Sequence, residues 1–139
     1  MNDALFGYDF TKSQKVPPIN MQKKLYNLHS SPINDIEFSP TENNILVTCS
    51  DDKSIKAFNT KKSDTKNFEK NPYKLFDKCH NDGIFQITFS QNGRYFASAA
   101  MDKSINIIST DDNWSIIHSF CNLVEHSCFS LGLSYNGNL

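Results

Sequence analysis

The chain has 139 residues, 38% of them hydrophobic and 21% charged, a composition that suits one soluble globular domain and argues against long disorder. Its 14 Lys and Arg against 15 Asp and Glu leave a formal net charge of −1, so no overall attraction to phosphate backbones or anionic lipid is expected. No apolar run approaches the roughly 20 residues that span a bilayer, and Met1-Asn2-Asp3-Ala4-Leu5 lacks a basic start followed by an apolar block, which predicts a cytoplasmic or nuclear protein without a membrane role.

In chain order, residues 1–21 come first as an N-terminal arm. Phe6, Tyr8 and Phe10 alternate with the two-residue period of a strand, and Pro17-Pro18 breaks the run, so the arm is either a flexible terminus or a strand added to a sheet edge. From residue 22 onward the signals become regular. Leu25 to Leu28 reads as a strand, and Ile33, Ile36 and Phe38 lie on the next, which ends at the turn formers Ser39-Pro40-Thr41-Glu42-Asn43-Asn44. Ile45, Leu46 and Val47 make a buried strand, Ser50-Asp51-Asp52-Lys53 a tight turn, and Ile55 to Phe58 a closing strand. Asn59 to Asn71 is polar and lysine-rich, a loop insertion. The order then repeats: Tyr73 to Phe76, then Ile84, Ile87 and Phe89, the turn Gln91-Asn92-Gly93, Tyr95 to Ala99, the turn Met101-Asp102-Lys103, and Ile105 to Ile108. A third pass starts with Trp114 to Phe120 and places Cys128, Leu131 and Leu133 where Ile84, Ile87 and Phe89 fell. Asn136-Gly137 matches Asn92-Gly93, and the sequence stops at Leu139, inside a unit.

His29 to His80 and Phe38 to Phe89 are both 51 residues apart. Short strands and tight turns recurring at such a period predict a stacked or radial architecture whose units bury their apolar faces only against neighbours. The repeats run over about 23–60, 73–110 and, incomplete, 114–139.

This pattern resembles the WD-repeat β-propeller family over roughly residues 23–139. The resemblance implies an all-β, partial propeller of two four-stranded antiparallel blades plus an incomplete third, with each repeat supplying the outer strand of one blade and the inner three of the next. It also implies a buried structural network: His29, Thr48 and Asp52 in the first repeat, His80, Ser98 and Asp102 in the second, with Phe58 and Ile108 where the family has a Trp. Without an indole N–H the network loses its last donor, while the apolar packing persists. Independently of the family, a His at a strand start facing an Asp in a turn satisfies both groups where a lone buried charge would cost several kcal/mol. In the third repeat Val124 rather than His126 falls at the His position. Within the family, Leu25-Tyr26, Ile33, Phe38, Pro40-Thr41-Glu42, Ile45-Leu46, Ile55-Lys56 and Phe58 resemble the WD-repeat subunit of the cleavage stimulation factor, which would imply a nuclear subunit in messenger-RNA 3′-end formation.

Site chemistry points away from catalysis and cofactors. His118-x-x-Cys121 and His126-x-Cys128 raise a small Cys/His metal-binding module as an alternative, but no second CxxC-type unit accompanies them, and Cys49, Cys79, Cys121 and Cys128 read as ordinary thiols. Asp51 and Asp52 are adjacent in a tight turn and point apart, and there is neither a Gly-x-Ser-x-Gly elbow nor a phosphate-cradling glycine loop. Lys61, Lys62, Lys66 and Lys70 form the one basic stretch, lacking arginines and offering only Phe68 for base stacking, so nucleic acid would be met only indirectly. The expected function is a non-catalytic scaffold for proteins or peptides in a multi-subunit complex. The expected partner-binding face comprises Ser30, Ser31, Asp51, Lys53, Asn81, Asp82, Met101 and Lys103, and open blades predict that the isolated chain self-associates.

Overall fold

A computed structural model describes residues 28–61, 72–111, 113–122 and 125–134. The described residues contain eight strands and no helix: β1 Ile33–Phe38, β2 Ile45–Ser50, β3 Ile55–Asn59, β4 Lys74–Phe76, β5 Ile84–Phe89, β6 Tyr95–Ala100, β7 Ser104–Ser109 and β8 Ser115–Cys121. They form two four-stranded antiparallel sheets, β1-β2-β3-β4 and β5-β6-β7-β8, each a meander in which neighbours in sequence pair in space. The fourth strand of each sheet opens the next sequence repeat, so blade and repeat are out of phase by one strand.

The two sheets are copies in detail. Each inner strand carries a bulge at the same place, Asn34 between Ile33 and Asp35 and Phe85 between Ile84 and Gln86. The β1–β2 turn has one residue more than the β5–β6 turn, so the spacing falls from 51 before the turn to 50 after it, as in Thr48/Ser98 and Asp52/Asp102. In the β2–β3 and β6–β7 hairpins, Lys53 and Lys103 donate N–H to Ser50 and Ala100 and take the left-handed conformation, φ 71° and 65°. This is the type I turn plus left-handed residue of a three-residue hairpin, built here without the usual glycine.

One apolar core lies between the blades. Blade one contributes Ile45, Val47, Cys49, Ile55 and Ala57, and blade two contributes Ile84, Ile87, Phe96, Ala100, Ile108 and Trp114. Phe96 is its centre, with Phe89, Trp114 and Phe76 at ring-centroid distances of 5.3, 5.8 and 6.2 Å. Ala97, Ser98, Ala99 and Ala100 on β6 are buried, and their small size lets neighbouring layers approach.

The blades are also stapled by polar groups. Asp35 accepts from Ile87 N at 3.1 Å and Glu37 from Phe89 N at 2.7 Å, so carboxylates of β1 hold the backbone of β5. Burial pushes the Glu37 carboxyl above its ordinary range, against the Phe89 N–H, which favours the charged form. Gly93 sits at φ 68° with Thr41 of the neighbouring turn so close that a Cβ would clash with its side chain, which favours glycine on both counts.

One expectation needs correction. The third-repeat segment with Cys128, Leu131 and Leu133 forms no strand in residues 127–134, because no strand among the described residues pairs with it. It nevertheless occupies the expected place: Leu131 N donates to Gln86 Oε1 at 2.5 Å, as Ile87 N does to Asp35, and Phe129 packs on Phe85 at 4.7 Å. The strand expected at 25–28 lies outside the described residues except for Leu28, which is buried against Phe58. The N-terminal arm, most of the lysine-rich loop and the Asn136-Gly137 turn lie outside the described residues. No helix of the described residues is long and apolar enough to cross a membrane.

Candidate interaction face and the network beneath it

Each blade begins with an imidazole enclosed by the two hairpin strands. In blade one, His29 Nδ1 lies 2.9 Å from Asp52 Oδ2 and Nε2 2.7 Å from Thr48 Oγ1, while Ser54 Oγ donates to Asp52 Oδ1 at 2.6 Å. In blade two, His80 Nε2 lies 2.8 Å from Ser98 Oγ, but Nδ1 meets Ser104 Oγ at 2.7 Å, and Ser104 Oγ donates to Asp102 Oδ1 at 2.5 Å. The carboxylate is 3.5 Å from the ring there, so a hydroxyl stands between imidazole and Asp102 where blade one has direct contact. In blade two the bonds set the neutral tautomer: Ser104 donates to Asp102, so Nδ1–H donates to Ser104 Oγ and Nε2 accepts, while in blade one Nδ1–H faces the Asp52 carboxylate and the Thr48 hydroxyl lies between His29 Nε2 and Lys56 O, 3.3 Å away.

The electrostatics follow from this geometry. Burial holds both His29 and His80 below the ordinary imidazole range, and the nearby carboxylates only partly oppose it. Asp52 is raised by burial, yet bonds from Ser54 Oγ, Ser30 N, His29 and Ser54 N outweigh that and lower it to about 2. Asp102 is lowered in the same way by Ser104 and Asn81 N. Ser54 and Ser104 are therefore members of the network that reasoning from His, hydroxyl and Asp alone missed. The signal was in the sequence, since both hairpins read Asp-Lys-Ser-Ile.

Phe58 and Ile108 are each 1% exposed and pack as apolar residues, Phe58 on Leu28 and Ile108 in the main core. Two further residues anchor the segment leading to the next strand. Lys56 Nζ donates to Leu28 O at 2.7 Å, and at the equivalent position Asn106 Nδ2 donates to Cys79 O at 2.8 Å. Among the described residues no buried side-chain nitrogen or oxygen lacks a partner.

A hydroxyl, imidazole and carboxylate in this order resemble a nucleophilic triad. Thr48 and Ser98 are 1% and 0% exposed, however, so no reacting atom reaches either Oγ, and the arrangement braces the blade. Clefts of about 740 and 260 Å³ open beside the two imidazoles, lined at equivalent positions by Asp52, Ser54 and Lys56 and by Asp102, Ser104 and Asn106. Among the described residues no group of three or more His, Cys, Asp or Glu is placed to hold a metal ion. Burial pushes the Cys49 and Cys79 thiols up to about 12, which leaves them unreactive.

Above the network the turns meet in a continuous strip. Ser30 N donates to Asp52, and Asn81 N to Asp102, so the segments entering each blade are tied to its hairpin turn. Asp51 N bonds Pro32 O, and Asp51 Oδ1 accepts from Asn34 Nδ2 at 2.6 Å, the same amide that reaches Ile84 O in blade two. A Cβ on Gly83 would lie 2.7 Å from Asp51 Oδ1, Lys53 Nζ donates to Asn81 O at 2.8 Å, and Met101 N bonds Gly83 O. Ser127 Oγ then reaches Met101 O at 3.2 Å. Ser30, Asn81, Asp82, Met101 and Lys103 are exposed, and Ser31 is half-buried. Asp51 and Lys53 also belong to the blade junction.

The WD40 family model, WD domain, G-beta repeat, matches residues 21–59 and 71–109, more than half of the chain. Among solved structures the chain is similar to one titled "Structure of U3-55K", with a TM-score of 0.60 and 15% identity over 71% of this chain and 29% of that one. It is likewise similar to "Crystal structure of RRP9 WD40 repeats", with a TM-score of 0.60 and 16% identity over 71% of this chain and 28% of that one. The chain thus spans less than a third of the length of either.

Proposed function

This chain belongs to the WD40 repeat family, and we propose that it works as a non-catalytic scaffold that binds a protein or peptide partner through the strip of turns at the blade tops. The observation that carries this reading is the continuity of the strip. Residues 30–32, 51–53, 81–83, 101–103 and 127 are linked in order by the bonds described above, so a partner lying across it meets both blades at once. The surface is mixed in chemistry: Asp82 and Lys103 supply opposite charges, and Met101, 44% exposed, supplies an adaptable apolar contact.

The open sheet face of blade one supports a multi-blade setting. Ile33, Ile36 and Phe38 are 41%, 58% and 54% exposed, and their counterparts in blade two are covered by blade one. A further blade is therefore the expected cover for this face.

The test separates the strip from the junction. A partner found by affinity capture is purified and titrated against wild type, Met101→Asp with Lys103→Glu, and Asp51→Ala. The double variant loses at least about tenfold in affinity at unchanged melting temperature, as expected for a contact worth a few kcal/mol near the interface centre. Undiminished affinity in the double variant would overturn the proposal.

A further inference from the structure

The turn between β5 and β6 contains Asn92-Gly93, a pair with no part in the imidazole networks or the strip of turns. An asparagine followed by glycine loses its side-chain amide more readily than other asparagines, because no Cβ shields the backbone nitrogen that attacks it. Asn92 is exposed and Gly93 is buried. Ser90 to Gly93 form a β-turn in which Gly93 N donates to Ser90 O at 2.9 Å. Asn92 Oδ1 accepts from Arg94 N at 3.1 Å and lies 2.8 Å from Ser90 Oγ. The side chain is thus fixed toward Arg94, one residue beyond the nitrogen its carbonyl carbon would have to meet, and the proton of that nitrogen is committed to Ser90 O. Thr110 holds the other side, its Oγ1 donating to Gly93 O at 2.7 Å and its N to Arg94 O at 2.9 Å. The last restraint comes from the other blade, where the Thr41 side chain of the β1–β2 turn packs directly on Gly93.

We propose that Asn92 is a deamidation site held shut by the blade junction, so that separation of the Gly93 turn from Thr41 is recorded as a covalent change. Released from Ser90 O and from Thr41, Gly93 N attacks Asn92 Cγ. The N–Cγ bond forms and the Cγ–Nδ2 bond breaks. Ammonia leaves with the proton of Gly93 N, and a succinimide ring closes. Water then opens the ring at either carbonyl, giving aspartate or isoaspartate at position 92. Isoaspartate places one additional carbon in the main chain, so the Ser90–Gly93 bond and the seat on Thr41 cannot both be regained. Aspartate keeps the backbone and an acceptor oxygen for Arg94 N. The opposing turn of blade one, Pro40-Thr41-Glu42-Asn43-Asn44, has two asparagines with no glycine after either, so the change falls on one side of the junction.

Peptide mapping by mass spectrometry tests it on the full chain, incubated at mildly alkaline pH with and without denaturant. The map reads Asn92 separately from the Asn136-Gly137 pair, which lies outside the described residues. The folded chain is expected to react at Asn92 at least about tenfold more slowly than the unfolded chain, because the reaction waits on local opening. Thr41→Ala removes the hydroxyl and methyl seated on Gly93 and should speed the folded reaction at least about threefold, leaving the rate in denaturant unchanged. A second measurement needs no variant: at low denaturant, hydrogen exchange of Gly93 N and deamidation of Asn92 in wild type should rise together. Chain carrying isoaspartate, identified by an isoaspartate-specific carboxyl methyltransferase, should melt below wild type, and Asn92→Asp should melt with wild type. Equal Asn92 rates with and without denaturant, a folded rate that Thr41→Ala leaves unchanged, or deamidation that does not follow Gly93 exchange would each overturn the proposal.

Discussion

Blade one and blade two carry the same three apolar residues on their inner strands and bury them to opposite degrees. Ile33, Ile36 and Phe38 are largely open, whereas Ile84 and Ile87 are 0% and 1% exposed and Phe89 is half-buried. Residue type, strand position and bulge are shared, so the difference comes from the neighbour: the apolar face of β5 has blade one against it, whereas among the described residues β1 meets blade two only through its Asp35 and Glu37 side and its Ile33, Ile36 and Phe38 face is uncovered. In a repeat fold, stability resides as much in the interfaces as in the units. Truncation should therefore cost very different amounts at equivalent positions. Ile87→Ala is expected to lose about 2–5 kcal/mol in denaturant unfolding and Ile36→Ala no more than about 0.5 kcal/mol. Equal losses would mean that the face of blade one is covered in solution, and a concentration series would then show whether a second copy covers it.

The same comparison shows where the sequence stopped being informative. Strand count, hairpin turns and the pairing of His29 with Asp52 were legible because alternation and the Asp-Lys-Ser-Ile turn are local patterns. Asp35, Glu37 and Gln86 were not. They sit at polar positions between apolar ones, which alternation reads as facing water, yet the carboxylates of Asp35 and Glu37 receive backbone N–H groups of the next inner strand, and the amide oxygen of Gln86 receives that of Leu131. A periodicity of two cannot tell solvent from a neighbouring blade's backbone. The third inner strand failed for the complementary reason. Cys128, Leu131 and Leu133 have the pattern of a strand, but a strand exists only as one side of a ladder, and residues 127–134 have no such partner among those described.

The polar networks sharpen the contrast through pH. Both imidazoles are held below their ordinary pKa in the folded chain, so between the folded and unfolded values the unfolded chain binds more protons. Their contribution is complete above about pH 6.5 and is lost progressively as the pH falls below it. Asp52, lowered to about 2, adds a second loss between about pH 4 and 2. Glu37, raised by burial, acts in the opposite sense, so the histidine effect is isolated by variants rather than read from the total. Wild type should lose stability as the pH falls below about 6.5 relative to a His29→Gln, His80→Gln double variant. The larger share should come from His80, which has a hydroxyl rather than a carboxylate at Nδ1. Parallel pH profiles for wild type and double variant would refute this assignment.

The smallest expected effect concerns the left-handed lysines. A non-glycine residue in that conformation costs about 1–2 kcal/mol in the fold, a cost that glycine avoids while losing more entropy from the unfolded chain. Lys103 is exposed with φ 65°, so Lys103→Gly should stabilise by about 0.5–1 kcal/mol. Lys53, at φ 71°, has the same strain, but its ammonium donates to Asn81 O across the blade junction. Removing it gives up that bond along with the strain, so Lys53→Gly should fall close to neutral. Thermal melts of the two glycine variants measure the difference. If Lys53→Gly stabilises as much as Lys103→Gly, the Lys53 contact contributes nothing to holding the blades together.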